Sequence, residues 1–284
     1  MMRSILLPFH DDDIDQAALD TALLIAGQYQ SYIEGLFVWQ PPQIIAGAGE
    51  RITLYGDYVT QIAAEGRQMA TQARERFNSI MAQRGIRMNA SDTDVDGIRA
   101  GWYEGEGLED RVVGDYGRAF DVIVISRTGK PASGDWNATC EAALFESGRP
   151  IILAPPQAPE NLSRKVLVAW NGSTETARTI AFGMSFLERA EEIIVLTVEE
   201  ETVPGPSGEQ IARCLLRNGL NVRSKTVQQQ GRPVGQAILD EVGEQGVDLI
   251  FKGAYTQSRL RQMIFGGATR RILSHATVPV LMAH

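Results

Sequence analysis

Two stretches of this chain follow one plan. RSILLPFHDDDIDQAALDTALLIA, beginning at Arg3, and RKVLVAWNGSTETARTIAFGMSFL, beginning at Arg164, each run from a basic residue through a short apolar strand and a polar corner into an amphipathic helix. Ala18, Ala22, Ile25 and Ala26 fall at helical spacing in the first, and Ala177, Ile180, Ala181, Met184 and Leu187 do so in the second. The ends of the two halves agree as well. FDVIVISR, a loop and CEAALFESGRPIILAPP correspond to VDLIFKGA, a loop and TRRILSHATVPVLMAH. Both read as strand, loop, helix, an X-Pro step and a terminal strand. Second strands are expected at YIEGLFVWQ and EIIVLTVEE, third strands at MNASDTDV and NVRSKTVQQ, and helices near 57–84, 106–118, 207–218 and 232–245.

Apolar strands alternating with amphipathic helices predict a parallel sheet covered on both faces, because right-handed crossovers bury each strand on two sides. The continuously apolar runs Val122–Ile125 and Ile193–Leu196 meet that requirement. The expected fold class is α/β, with two tandem Rossmann-like domains, each a five-stranded parallel sheet between helices. The repeat and the proline-rich segment APPQAPENLS place these domains at 1–156 and 163–284.

A chain of 284 residues with 44% hydrophobic content can bury the core of two medium domains. Its net charge of -8, without a long basic run, argues against nucleic acid or an acidic membrane as partner. The apolar run in MMRSILLPFHDDD breaks at Pro8 and lacks the form of a signal peptide, and no apolar stretch approaches a membrane span. Cys140 and Cys214 have no CxxC or Cys/His spacing, which fits buried thiols in a reducing cytoplasm.

In an open parallel sheet, ligands bind beyond the carboxyl ends of the strands where strand order reverses, so the loops after strands one and four carry the interest. In the second half these are NGST and GAYTQSRLRQMIFGGATRR, residues 253–271. Gly253 ends strand four, and Gly266, Gly267 and Ala268 open the last helix, where free N–H groups and the dipole favour an anion. Arg259, Arg261, Arg270 and Arg271 add positive charge. The alternative is that these glycines only allow a tight turn and close helix packing, with the arginines a solvated face.

The tandem repeat, this glycine pattern and VPVLM resemble the universal stress protein family over nearly the whole chain, as two consecutive family domains. The resemblance implies an adenine nucleotide alpha hydrolase-like fold. It also implies an internal pseudo-dimer, paired through the last strands at Ile151–Ala154 and Val278–Met282, and it admits a further homodimer or a protein partner. Nucleotide-binding members carry G-x2-G-x9-G-[S/T] after strand four. Here Gly253 takes the first glycine, Thr256 replaces the second, Gly266 takes the third, and Gly267 replaces the hydroxyl residue. The family's ribose-binding Asp after strand one is Asn171, and the end of strand two, where the family holds adenine, is Val198. The resemblance therefore implies ATP or AMP lying across Ala169, Asn171, Val198, Gly253, Thr256, Gly266, Gly267 and Ala268. Thr256 restricts φ and fills space. With Asp replaced by Asn171, no acidic pair for Mg2+ is evident.

The first half departs further. His10 stands at the Asp position and Ser126 at that of Gly253, so no nucleotide site of the family type is expected there. Asp11, Asp12, Asp13 and Asp15 read as caps on a helix start rather than as metal ligands. His10, His275 and His284 pair with no Cys or Ser at a catalytic spacing, and Trp170 reads as a core filler or a wall that stacks on a base. The leading functional reading is a stress-response protein that binds one nucleotide in its second domain without catalytic residues. A scaffold that has lost nucleotide binding and a weak ATP hydrolase are the alternatives.

Overall fold

The computed structural model describes residues 2–10, 13–40, 52–89, 96–127, 136–254 and 267–284. The first half contributes β1 (Ser4–Pro8), α1 (Asp13–Tyr29), β2 (Tyr32–Trp39), α2 (Ile52–Gln83), β3 (Arg87–Met88), β4 (Arg99–Glu106), α3 (Glu109–Tyr116), β5 (Val122–Ile125), α4 (Trp136–Phe145) and β6 (Ile151–Leu153). The second contributes β7 (Lys165–Ala169), α5 (Thr174–Phe182), α6 (Met184–Leu187), β8 (Glu192–Val198), α7 (Gly208–Arg217), β9 (Val222–Val227), α8 (Val234–Gln245), β10 (Leu249–Gly253), α9 (Gly267–His275) and β11 (Val280–Ala283).

Among the described residues these strands form one sheet in the order β3-β4-β2-β1-β5-β6-β11-β10-β7-β8-β9. Every pairing is parallel except β6 with β11, which run antiparallel with Ile152 opposite Leu281. That junction makes the two halves a pseudo-dimer joined edge to edge, so neither terminal strand is left as an open edge. One apolar layer packs α1, α2, α5, α6 and α7 against the sheet, and a second packs α3, α4, α8 and α9 against the opposite face. Both layers run through both halves. Away from the strand junction, the Tyr29 hydroxyl donates to the Ser185 carbonyl at 2.8 Å, and the Tyr29 ring meets Phe186 edge-on at 5.4 Å. Arg127, at the end of β5, donates to the Ala276 carbonyl beyond α9.

The first half differs from a five-stranded unit. Its third strand is Arg99–Glu106 rather than 88–95, Met88 belongs to the two-residue β3, and 90–95 lie outside the described residues. RAGWYEGE contains two glycines and three charges, poor strand-forming material. It is a strand because β2 pairs with it from Tyr32↔Arg99 to Trp39↔Glu106. The glycines give room. A Cβ on Gly105 would lie 2.9 Å from Val112, and Gly101 stands against the Tyr32 ring.

The repeat also copies a clamp at the amino ends of the strands. Asp121 Oδ2 accepts the N–H groups of Arg3 at 2.7 Å and Ser4 at 3.0 Å, and Asp248 accepts those of Arg164 at 3.0 Å and Lys165 at 3.2 Å. Each carboxylate ties strand four of its half to the entry of strand one. Asp248→Ala leaves two backbone donors without their acceptor, and we expect a loss of about 1–3 kcal/mol. Urea denaturation reads this as a lower midpoint at unchanged slope.

Candidate functional site

In the second half the order reverses between β7 and β10, and the site is built at their carboxyl ends. Ala169 lies in register with Leu196 on one side and Lys252 on the other. The chain then turns through Trp170, Asn171 and Gly172 into α5, whose N-cap Ser173 accepts the N–H of Thr176 at 3.2 Å. Asn171 is buried. Its Oδ1 accepts the N–H of Ser173 at 3.3 Å and the hydroxyl of Thr176 at 3.0 Å, so this oxygen, expected to face a ribose, shapes the first turn of α5.

A segment beyond β8 folds over this corner. Val203 donates its N–H to the Asn171 carbonyl at 2.8 Å, and Gly172, at φ +89°, lies so close to the Val203 carbonyl that a Cβ would sit 2.6 Å from its oxygen. Trp170 is 3% exposed and donates its indole N–H to the Pro206 carbonyl at 2.8 Å. Of its two readings, the buried core role is the one this geometry supports, with the polar edge satisfied inside the protein.

The two described glycines of the loop differ. Gly253 is buried at the end of β10 beneath the first turn of α5, where a Cβ would lie 2.5 Å from the Thr176 nitrogen. Gly267 opens α9, is exposed, has an ordinary φ, and a Cβ there would meet nothing within 4 Å among the described residues. Among the described residues neither packing nor backbone demands a glycine at that position. Ala268 follows, its carbonyl oxygen 2.6 Å from where a Cβ of Gly235 would lie, so α8 and α9 start side by side at this edge. Val198 is buried at the end of β8, opposite Val227. Thr256 and Gly266 lie outside the described residues, as do Arg259 and Arg261. The structure thus collects Ala169, Asn171, Val198, Gly253, Gly267 and Ala268 along one sheet edge, with Asn171 turned inward.

The corresponding corner of the first half is filled by its own side chains. His10 Nε2 lies 2.6 Å from Glu109 Oε2, and its Nδ1 lies 3.6 Å from Asp15 Oδ2. Asp15, fully buried, also accepts the backbone N–H of His10 at 2.5 Å, and the Thr139 hydroxyl donates to Glu109 Oε1 at 3.1 Å. Burial opposes the imidazolium, but the bonds and charges of Asp15 and Glu109 outweigh it and raise the His10 pKa to about 10. His10 is therefore a charged link between the starts of α1 and α3. Glu109 is the residue that sequence reading missed, because nothing in a spacing of 99 residues signals the pair. Asp11 and Asp12 lie outside the described residues, and Asp15 bonds the chain before its helix.

The thiols also divide. Cys140 is buried, and burial, with Glu141 nearby, pushes its pKa up to about 12, whereas Cys214 is exposed on α7 rather than buried. Among the described residues no cluster of three His, Cys, Asp or Glu side chains could hold a metal ion, and no helix is long and apolar enough to cross a membrane.

Residues 163–284 match the model of the universal stress protein family. A curated universal stress protein of Synechocystis sp. is 25% identical over 169 residues, 57% of each chain, so this chain spans little more than half the length of that relative. The crystal structure of a universal stress protein from Archaeoglobus fulgidus superposes with a TM-score of 0.64 at 18% identity, covering 99% of this chain and 95% of that one. That of a Pseudomonas aeruginosa protein described as a putative universal stress protein gives 0.53 at 16% identity, covering 99% and 93%. These two establish the fold along the chain.

Proposed function

We propose, from the match of residues 163–284 to the universal stress protein family model, that this chain binds one adenine nucleotide, ATP or AMP, across the switch point of its second half and acts in a cytoplasmic stress response through that binding rather than through turnover. The proposed units are 1–156, without a nucleotide, and 163–284, which holds it. The carrying observation is Gly267. A glycine inside a helix costs up to about 1 kcal/mol relative to alanine, and among the described residues this one gains no packing in return, so the space above it suits an incoming phosphate on the α9 N–H groups.

Charge supports the same reading. From Leu249 to His284 the sequence contains five Lys or Arg and no Asp or Glu, and buried Lys252 directly precedes Gly253. The polar groups at the corner, Asn171, Ser173 and Thr176, bond one another and include no acid or base, which favours binding over hydrolysis. Val198 and Ala169 would border the base and ribose, with Thr256 and Gly266 completing the loop. Mg2+, if used, would arrive with the phosphates.

Gly267→Asp separates site from fold. A carboxylate in the first turn suits the helix dipole and should hold or slightly raise the melting temperature, yet it repels a phosphate. Calorimetric titration should show ATP binding weakened at least tenfold. Absence of binding by ATP and AMP at millimolar concentration to the folded wild type would sink the proposal in favour of a scaffold role.

A further inference from the structure

Each half carries a cavity at the carboxyl ends of its second and third strands, at equivalent places in the repeat. Tyr103 faces Leu36, which faces Pro8, and Lys225 faces Leu196, which faces Ala169. In the second half the cavity, about 550 Å³, is lined by an internal ion pair, Lys225 Nζ to Glu241 Oε2 at 2.6 Å. In the first half the position of that lysine is an aromatic ring, and the cavity is larger, about 710 Å³.

That ring ends a ladder. Buried Phe120 meets Tyr116 edge-on at 5.3 Å, and Tyr116 stacks on Tyr103 at 4.4 Å with the planes 22° apart. Tyr103 is still 40% exposed and lines the cavity. The ladder is held from below, since the Tyr116 and Tyr32 hydroxyls both donate to Glu34, at 2.6 Å and 2.7 Å. Val112 and exposed Leu108 supply apolar surface beside the ring, while Glu106 and Arg111 place opposite charges on the rim. Asp115, also on the rim, is engaged by Arg118 at 2.7 Å. A rigid ring open on one side, next to apolar surface and a few charges, has the make-up of a small-molecule site.

We propose that this first-half cavity binds a planar aromatic small molecule carrying one charged substituent, stacked on Tyr103, at a site separate from that of the nucleotide. The shared chemistry is the ring, and the charge decides between Arg111 and Glu106. The probes are indole-3-acetate, an aromatic anion, and tryptamine, an aromatic cation, with cyclohexylacetate as the non-aromatic control, followed by ligand-observed NMR titration on the full chain.

One indole probe should bind, with Arg111→Ala weakening the anion or Glu106→Ala the cation. Tyr103→Ala should weaken that probe about tenfold or more, Tyr103→Phe should retain it, and saturating ATP should not displace it. Loss of ATP binding alone would leave this result standing. The proposal is overturned if neither indole binds at millimolar concentration, if Tyr103→Ala binds as tightly as wild type, if cyclohexylacetate competes equally, or if ATP displaces the probe.

Discussion

His10→Ala is expected to lower the stability of the protein by about 2 kcal/mol at neutral pH, below the range of about 3–5 kcal/mol for a fully buried pair because His10 and Glu109 are 22% and 20% exposed. The loss arises because Glu109 and Asp15 remain within the first half without the cation that faces both. The pH dependence identifies the cause. The folded pKa of His10, about 10, is above its ordinary 6.5, so the imidazolium's contribution is complete below pH 6.5 and fades as pH rises toward 10. Wild type should therefore lose stability relative to His10→Ala across that window, and the two denaturation midpoints should converge at its upper end. Parallel midpoints from pH 6 to 10 would reduce His10 to a packing residue. The groups facing it are Glu109, Asp15 and the ring of Phe37, of which the first two carry the charge.

The same cluster shows what can and cannot be read from the chain. The paired openings at Arg3 and Arg164 and the paired apolar strands predict the sheet, because burial on two faces requires continuous apolar runs and crossover helices require a 3.6-residue period. The antiparallel junction of β6 and β11 came from the family resemblance, since Ile151–Leu153 and Val280–Ala283 are ordinary apolar strands and say nothing about which edge they seek. The third strand of the first half was misplaced because Arg99–Glu106 is extended by its partner β2, not by its own propensity. Asn171 stands where expected, but its carbonyl oxygen serves Ser173 and Thr176. His10 has no Cys or Ser partner at a catalytic spacing in the sequence, and Glu109 reaches it only once α3 has been folded beside the sheet.

Gly253→Ala is the second large expected effect, and it acts on fold and ligand together. The added Cβ would lie 2.5 Å from the Thr176 nitrogen, 2.6 Å from its Oγ1 and 2.9 Å from the Glu175 carbonyl carbon. Two of these three are backbone atoms, and the turn they belong to is held by the Ser173 cap and by Asn171. The turn cannot retreat without breaking those bonds, so overpacking should cost about 1–3 kcal/mol and move α5 away from β10. Because the proposed phosphate position lies between these elements and α9, ATP affinity should fall at least tenfold in the same variant, unlike Gly267→Asp, which spares stability. The first half has Ser126 at the equivalent position, so a strand end of this type accepts a Cβ, and the requirement at 253 comes from the approach of α5. Adding Thr176→Ala separates the contributions. It removes the hydroxyl contact but leaves the nitrogen in place, so the double variant should regain little stability. A full recovery would mean that the side chain, not the backbone of α5, sets the need for glycine.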